Sequence, residues 1–105
     1  MLINSLIRKN FETAGPYDGT YTVVNSICLK DGIVIMDNGI YTGILTTADL
    51  VKKRHSLIAD CLSAKPEVNP QQTVTEIMDL MKQTRNHILP VFDNNQFIGI
   101  IHRYS

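Results

Sequence analysis

The chain lacks several features that would assign it directly to a class of protein. It has no tryptophan, and its two cysteines, Cys28 and Cys61, match no metal-binding spacing, so we predict two buried, reduced thiols. Ten basic residues balance ten acidic ones, which leaves no broad field to hold nucleic acid or an anionic membrane but still allows a local cationic pocket. No apolar run approaches the roughly 20 residues of a membrane span, and the N-terminus lacks the pattern of a secretion signal. These absences predict a cytoplasmic protein that binds neither nucleic acid nor a membrane.

Motifs of enzymatic chemistry are also missing. The sequence has no glycine-rich phosphate loop, no nucleophile elbow and no paired carboxylates, and neither cysteine has a base nearby in sequence. His55, His87 and His102 show no metal-ligand spacing. We therefore predict that the chain is not an enzyme and holds no metal.

An internal repeat is present, in a chain of 105 residues whose hydrophobic fraction of 44% suffices for a packed core. The segment Asp37–Leu45 recurs as Asp93–Ile101, which places Gly43 on Gly99, and we call this the hairpin alignment. A second match, the upstream alignment, has a different spacing and pairs Ser5-Leu6-Ile7 with Ser56-Leu57-Ile58, Tyr17 with Val68, and Thr22-Val23 with Thr73-Val74. We predict two repeats, residues 1–55 and 56–105, the first lacking five residues between Val23 and Asp37.

The second repeat shows the pattern of one unit most clearly. Thr73 to Glu76 form a capping box that opens a helix, and apolar residues at helical spacing predict one buried face and an end near residues 84–86. The apolar runs Ile88–Phe92 and Gln96–His102 predict two strands joined by a turn. Because Pro90 cannot donate to a ladder, we predict that the first of these strands has one side free at this residue.

The first repeat adds a hairpin and a second helix. Asn38-Gly39 suits a type I′ turn, and Thr46 or Thr47 can cap the helix that follows, with Asp49 adding negative charge to its first turn. The basic stretch 52–55 complements the C-terminal end of that helix. The earlier helix keeps only a short apolar face, formed by Val23, Ile27 and Cys28. The predicted fold class is α/β (α+β), two small sheets with flanking helices that pack sheet to sheet.

These segments resemble the cystathionine-β-synthase-type domain, or CBS domain. The family's pattern is matched here by Ile58–Leu62, Thr73-Val74, Leu89-Pro90-Val91 with Asp93, and the Gly-Ile-Leu-Thr-x-x-Asp-Leu segment Gly43–Leu50. The resemblance covers about residues 5–105 and implies a tandem pair, or Bateman module. It further implies a regulatory module that binds an adenosine-containing ligand such as AMP, ADP, ATP or S-adenosylmethionine. Such modules form homodimers through their CBS pairs and control an attached effector domain.

The sequence departs from the family at the end of the second repeat. His102 and Ser105 stand where the family has a hydroxyl and a carboxylate, so we expect at most one nucleotide site of the usual type. The chain stops at Ser105, where a closing helix is expected. We therefore interpret it as a piece of a longer protein whose effector domain follows at the C-terminus.

The resemblance also nominates candidate site residues in the first repeat. Thr46, Thr47 and Asp49 match the family's phosphate and ribose contacts. A helix N-terminus offers free N–H groups to a phosphate, and a carboxylate can accept from both hydroxyls of a ribose. Plain helix capping by Thr46 and Asp49 explains the same residues, so both interpretations stay open.

Three further candidates lie in the second repeat. His87 occupies a position that often faces the ligand cleft in this family, and Ile88 and Val68 can form the walls of a purine site. An ordinary strand-entry histidine and core packing are the alternatives. Two functions therefore remain open, a nucleotide sensor and a ligand-free structural or dimerisation module.

Overall fold

The structure, a computed structural model, describes residues 2–52 and 56–103. The predictions for residues 53–55 and for Ser105 lie outside these ranges. The helices and strands run in the order β1 Thr13–Ala14, α1 Val24–Lys30, β2 Ile33–Asp37, β3 Ile40–Leu45, α2 Thr47–Lys52, α3 Ile58–Cys61, α4 Val74–Thr84, β4 Ile88–Asp93 and β5 Gln96–His102. The predicted α/β fold class is confirmed. Across the described ranges, no helix combines the length and the apolarity needed to cross a membrane.

The chain divides into two compact units, which we call the N-terminal and C-terminal units. The C-terminal unit combines Met1–Asn10 with Lys65–Ser105, and the N-terminal unit is Phe11–Ala64. The units differ from the predicted repeats 1–55 and 56–105, because the leading segment of each repeat belongs to the other unit. The repeats therefore stay a prediction about the sequence, and the units describe how the chain is packed.

Both units are built on the same hairpin. Ile35 pairs with Gly43 in β2–β3, and Val91 pairs with Gly99 in β4–β5, so the hairpin alignment holds in both strands. Directly after this pair, the register shifts in both hairpins. Such a β-bulge bends the strand and increases its twist. The two predicted hairpins are confirmed, and the shared bulge is new information.

The turns of both hairpins use left-handed backbone. Asn38 and Gly39 have φ values of 51° and 80°, as the predicted type I′ turn requires. Asn94 and Asn95 have φ values of 50° and 64° in the second hairpin. Asparagine tolerates this region better than most residues, which is why the second turn forms without glycine.

The helices α1 and α4 begin differently and have different lengths. In α4, the Thr73 hydroxyl accepts from the Glu76 N–H at 3.1 Å and the Glu76 carboxylate accepts from the Thr73 N–H at 3.4 Å, which confirms the capping box. The helix ends at Thr84, within the predicted range of residues 84–86, and Arg85 after it has left-handed backbone. α1 has seven residues against eleven in α4, so the shortening expected of the first repeat falls largely in this helix.

Each unit has its own apolar core, whose burial provides the main driving force for folding. The C-terminal core contains Ile3, Val68, Ile77, Met81, Leu89, Val91 and Ile101. The N-terminal core contains Val23, Ile27, Ile33, Ile35, Leu45, Ile58 and Cys61. Val23, Ile27 and Cys61 are buried as predicted, whereas Cys28 is exposed, so the prediction of two buried thiols is wrong for Cys28.

The upstream alignment is also wrong in detail. Tyr17 is 72% exposed and Val68 is 2% exposed, so the two are not equivalent. Val68 bridges Val91 in parallel fashion, and Ala14 bridges Ile35 in the same way, which makes Ala14 the counterpart of Val68. The Val68 N–H donates to the carbonyl of Pro90 at 3.0 Å, while Pro90 pairs with Ile100 on the other side. The prediction that one side of the strand is free at Pro90 is therefore wrong, because the proline carbonyl can accept although the residue has no N–H to donate.

The leading segments of the two repeats, residues 2–10 and 56–64, also correspond, but with a spacing that differs from both alignments. The Ile3 N–H donates to the Gln72 carbonyl at 3.2 Å in the C-terminal unit, and the Ile58 N–H donates to the Asp18 carbonyl at 3.1 Å in the N-terminal unit. Both isoleucines are fully buried. Ile3 therefore corresponds to Ile58, and the Ser5-Leu6-Ile7 match aligned residues that occupy different positions.

Candidate functional site

The carboxylate of Asp49 is buried at the end of the N-terminal hairpin where β3 leads into α2. Asp49 lies in the first turn of α2 and is 2% exposed. Its carboxylate accepts from the Thr46 backbone N–H at 3.1 Å and from the Thr46 hydroxyl at 3.3 Å, and it also accepts a short hydrogen bond from the Ser63 hydroxyl. These bonds tie the start of α2 to the chain that follows α3.

Asp49 thus accepts from Thr46 at the start of α2, as the capping interpretation expects, and it also accepts from Ser63. Thr46 precedes α2 and donates its otherwise unpaired N–H to Asp49, while Thr47 is the exposed first residue of the helix. Ser63 was missed by sequence reasoning, because nothing in the sequence brings a residue fourteen positions away to the carboxylate. Because Asp49 is 2% exposed, a sugar hydroxyl would reach its carboxylate only after the side chains around it had moved.

A second candidate site lies in the C-terminal unit, where a cavity of about 530 Å³ opens beside the end of α4. It is lined by Met78, Asp79, Met81, Lys82, Arg85, Asn86, His87 and Arg103. Three of these side chains carry a positive charge and one carries a negative charge. The local field therefore favours an anionic ligand, even though the chain as a whole is neutral.

His87 and Arg103 form the polar corner of this cavity. The Arg103 backbone N–H donates to the His87 carbonyl at 2.8 Å, and the guanidinium Nη1 lies 3.3 Å from Nε2 of His87. An unprotonated ring nitrogen can accept a hydrogen bond from the guanidinium at this position. Ile88 pairs with His102 at the end of the ladder, which sets Arg103 opposite His87 one residue further out. Sequence reasoning missed Arg103 because the pairing register of the two strands was not part of the prediction.

The remaining candidates are buried. Ile88, the first residue of β4, and Val68 are each 2% exposed, and packing inside the C-terminal unit accounts for both. The structure therefore brings Thr46, Thr47 and Asp49 together in the N-terminal unit. It places His87 next to Ile88 in the C-terminal unit. In the described part of the chain, no three histidine, cysteine, aspartate or glutamate residues are grouped as metal ligands would be.

Comparison with known proteins points to one family. Residues 58–105 match the family model of the CBS domain. No curated protein matches the chain. Among solved structures, a putative signal-transduction protein with CBS domains from Burkholderia ambifaria MC40-6 is 27% identical, with a TM-score of 0.74 over 90% of this chain and 77% of that one.

Two other solved structures of similar fold contain adenosine compounds. The CBS domain pair of protein MJ0100, in complex with 5′-methylthioadenosine and S-adenosyl-L-methionine, is 18% identical, with a TM-score of 0.80 over 99% of this chain and 94% of that one. CBSX2 in complex with AMP is 19% identical, with a TM-score of 0.79 over 98% of this chain and 90% of that one. At these identities the likeness shows the fold, and it extends over both halves of the chain.

Proposed function

We propose that the chain is a regulatory module that senses an adenosine-containing nucleotide, on the basis of the match between residues 58–105 and the family model of the CBS domain. The observation that carries the proposal is the cavity beside His87, whose basic side chains suit a phosphate group. Proteins of the same fold hold AMP or S-adenosyl-L-methionine, which supports this ligand class. CBS-domain proteins are typically regulatory or signalling modules, which favours sensing over catalysis.

The cavity has the size and chemistry that such a ligand needs. Its volume of about 530 Å³ lies within the range of roughly 300–1,000 Å³ that is usual for small-molecule sites. Arg85 and Arg103 carry guanidinium groups, which can each give two parallel hydrogen bonds to a phosphate. Met78 and Met81 supply apolar, deformable surface, which can contact a base or a sugar edge.

We propose that ligand binding acts through a change in the population of conformations that an effector domain recognises. A ligand shifts such an equilibrium only by its difference in affinity for the two states. The effector, attached or bound, and the homodimer remain proposals of the family resemblance. For the homodimer, Leu29 and Val51 offer exposed apolar side chains on α1 and α2, and sedimentation of the purified chain tests it.

The decisive experiment is a thermal-shift and calorimetric titration with AMP, ADP, ATP and S-adenosylmethionine. A ligand at one hundred times its Kd stabilises a protein by about 2.7 kcal/mol, which a melting curve detects. We expect at least one nucleotide to bind, and Arg103→Ala to weaken that binding by about tenfold because a charge-assisted contact is lost. Lys9→Ala, an exposed change outside the cavity, should leave binding unchanged. Binding that is unaffected by Arg103→Ala, or no binding of any nucleotide, contradicts the proposal.

A ligand-free structural module is the second candidate, favoured by two observations. The Asp49 carboxylate is already engaged by Thr46 and Ser63, and His102 stands where the second repeat would supply a hydroxyl. If this function is correct, no nucleotide raises the melting temperature, while the chain still forms a defined dimer. The same titration and sedimentation experiments separate the two candidates.

A further inference from the structure

His87 and Arg103 make a contact that depends on the protonation state of the histidine ring. Nη1 of Arg103 lies 3.3 Å from Nε2 of His87, at the polar corner of the basic cavity. A guanidinium group has only N–H donors, so it forms a hydrogen bond here only with a ring nitrogen that carries no proton. A ring protonated on both nitrogens would instead bring two positive charges together at this distance. The hydrogen bond between the two side chains therefore belongs to the neutral ring.

The charges around the ring are positive on balance. The charged or titratable side chains near it come from α4, from the residue after α4 and from the end of β5 and the residue after it: Asp79, Lys82, Arg85, His102 and Arg103. Lysine and arginine outnumber the single carboxylate by three to one in the cavity wall. An anion that enters the cavity therefore brings a negative charge into surroundings that are otherwise positive.

A bound phosphate reverses the preference of the ring. Arg103 can give two parallel hydrogen bonds to a phosphate, and these use donors that otherwise face His87. A protonated imidazole ring can donate to a phosphate oxygen, whereas a ring nitrogen without a proton cannot. A nearby negative charge also stabilises the charged form of a histidine. Phosphate binding and protonation of the ring therefore favour each other.

We propose that nucleotide binding in the basic cavity is coupled to the uptake of a proton by His87. This inference rests on the proposed function, because it takes the cavity beside His87 as the nucleotide site. A binding step that takes up protons becomes more favourable as the pH falls, so the same nucleotide concentration fills the cavity more completely in mildly acidic conditions. Histidine ordinarily changes its charge between about pH 5 and 8, so the module responds to pH as well as to nucleotide in the physiological range.

The test is isothermal titration calorimetry of the full chain with AMP, ADP and ATP at about pH 7.5, within the range in which histidine ordinarily changes its charge. Repeating each titration in buffers of different ionisation enthalpy counts the protons taken up on binding. We expect a fraction of one proton, because His87 is exposed and water screens the charges around it. The ligand gives the opposite sign, since a phosphate monoester loses its last proton near about pH 6 and a cationic site favours that loss.

Two histidine variants assign the proton to one residue. His87→Gln keeps a polar side chain that does not titrate, so it should abolish the uptake and should weaken nucleotide binding several-fold more in mild acid than in mild alkali. His102→Gln, at the neighbouring histidine outside the lining of the cavity, is the matched control and should keep the uptake of the wild type. A purely structural role of His87 would weaken binding equally at every pH. Melting curves and circular dichroism confirm that both variants are folded.

Failure of this inference differs from failure of the proposed function. If a nucleotide binds and His87→Gln takes up as many protons as the wild type, the coupling is wrong and the nucleotide site stands. Loss of the uptake in His102→Gln alone would likewise overturn the assignment to His87. Binding of S-adenosylmethionine alone contradicts the inference as well, because that ligand has no phosphate. If no nucleotide binds at all, the proposed function fails and this inference fails with it.

Discussion

The two units share a hairpin and differ at the end where its strands enter and leave. In both, a pair formed by an apolar residue and a glycine, Ile35 with Gly43 and Val91 with Gly99, is followed by a register shift and an asparagine turn. At the end of the hairpin opposite the turn, the N-terminal unit has α2 and the buried carboxylate of Asp49. At the same end, the C-terminal unit has the basic cavity beside His87 and an apolar groove lined by Ile3 and Ile77.

The fold requires the hairpin that both units share, whereas the residues at the ends of the hairpin can differ between the units. The hairpin pairs and their bulge are fixed by backbone hydrogen bonds and by side chains that alternate between core and surface, so a change there disturbs the whole unit. The ends carry Thr46 and Asp49 in one unit and His102 and Arg103 in the other. The same hairpin thus carries two ends of different chemistry, one held by internal hydrogen bonds and one lined by basic side chains.

Removing the buried carboxylate of Asp49 should destabilise the N-terminal unit strongly, and the effect should be confined to the end of the hairpin at which α2 begins. Asp49→Ala leaves the Thr46 N–H and the Ser63 hydroxyl without their acceptor, and hydrogen bonds to a charged group contribute about 1.5–3 kcal/mol. We expect a loss of about 2 kcal/mol in urea unfolding, together with faster hydrogen exchange in α2.

Two matched variants sharpen this result. Asp49→Asn keeps one carbonyl acceptor and should lose less stability than Asp49→Ala, while Ser63→Ala removes only one donor and should lose less again. Amide exchange in β4–β5 should not change. If Asp49→Ala is as stable as the wild type, the carboxylate does not hold this end of the hairpin together, and the contrast between the units fails.

The paired glycines should respond unequally to the same substitution. A Cβ at residue 99 would lie 2.5 Å from the Arg8 carbonyl oxygen, which is fixed because it accepts from the Ile100 N–H at 3.0 Å. A Cβ at residue 43 would instead meet the Leu62 side chain, at 2.8 Å, which can rotate away. We expect Gly99→Ala to cost about 1–3 kcal/mol in the free energy of unfolding and Gly43→Ala clearly less. Equal losses would mean that the leading segments are held alike in the two units.

Local signals in the sequence predicted most of the frame. The Thr73–Glu76 capping box, the Asn38-Gly39 turn and the runs that became β4 and β5 all depend on residues close together in the chain. The hairpin alignment held because both hairpins keep the same number of residues between their paired positions. Short-range hydrogen bonding and strand alternation are enough to specify such elements.

Contacts between distant segments were not predictable in the same way. The leading segments 2–10 and 56–64 each join the unit of the other repeat, which no local pattern encodes. The register that brings Arg103 beside His87 depends on cross-strand packing, and the bond from Ser63 to Asp49 depends on the path of the chain after α3. Cys28 is exposed because it follows the buried Ile27 and lies on the outer side of α1, just as Met78 follows the buried Ile77 and is exposed on α4. The site residues at the ends were therefore nominated by resemblance, and their partners came from the structure.

The smallest expected effect concerns a surface ion pair of the N-terminal unit. Hydrogen bonds from Ser26 and Lys30, with Lys30 also acting by charge, hold the pKa of Glu12 below its ordinary value of 4.5, and Lys30 Nζ lies 3.0 Å from Glu12 Oε1. Because the pKa is lowered in the folded state, Glu12 stabilises the protein above its unfolded pKa, and this contribution is lost as the pH falls through the folded pKa. Glu12→Gln should therefore melt slightly below the wild type at neutral pH, with the difference closing in acid and in high salt. Melting curves of both proteins across this pH range measure it, and a difference that grows on acidification would have the wrong sign for this contact.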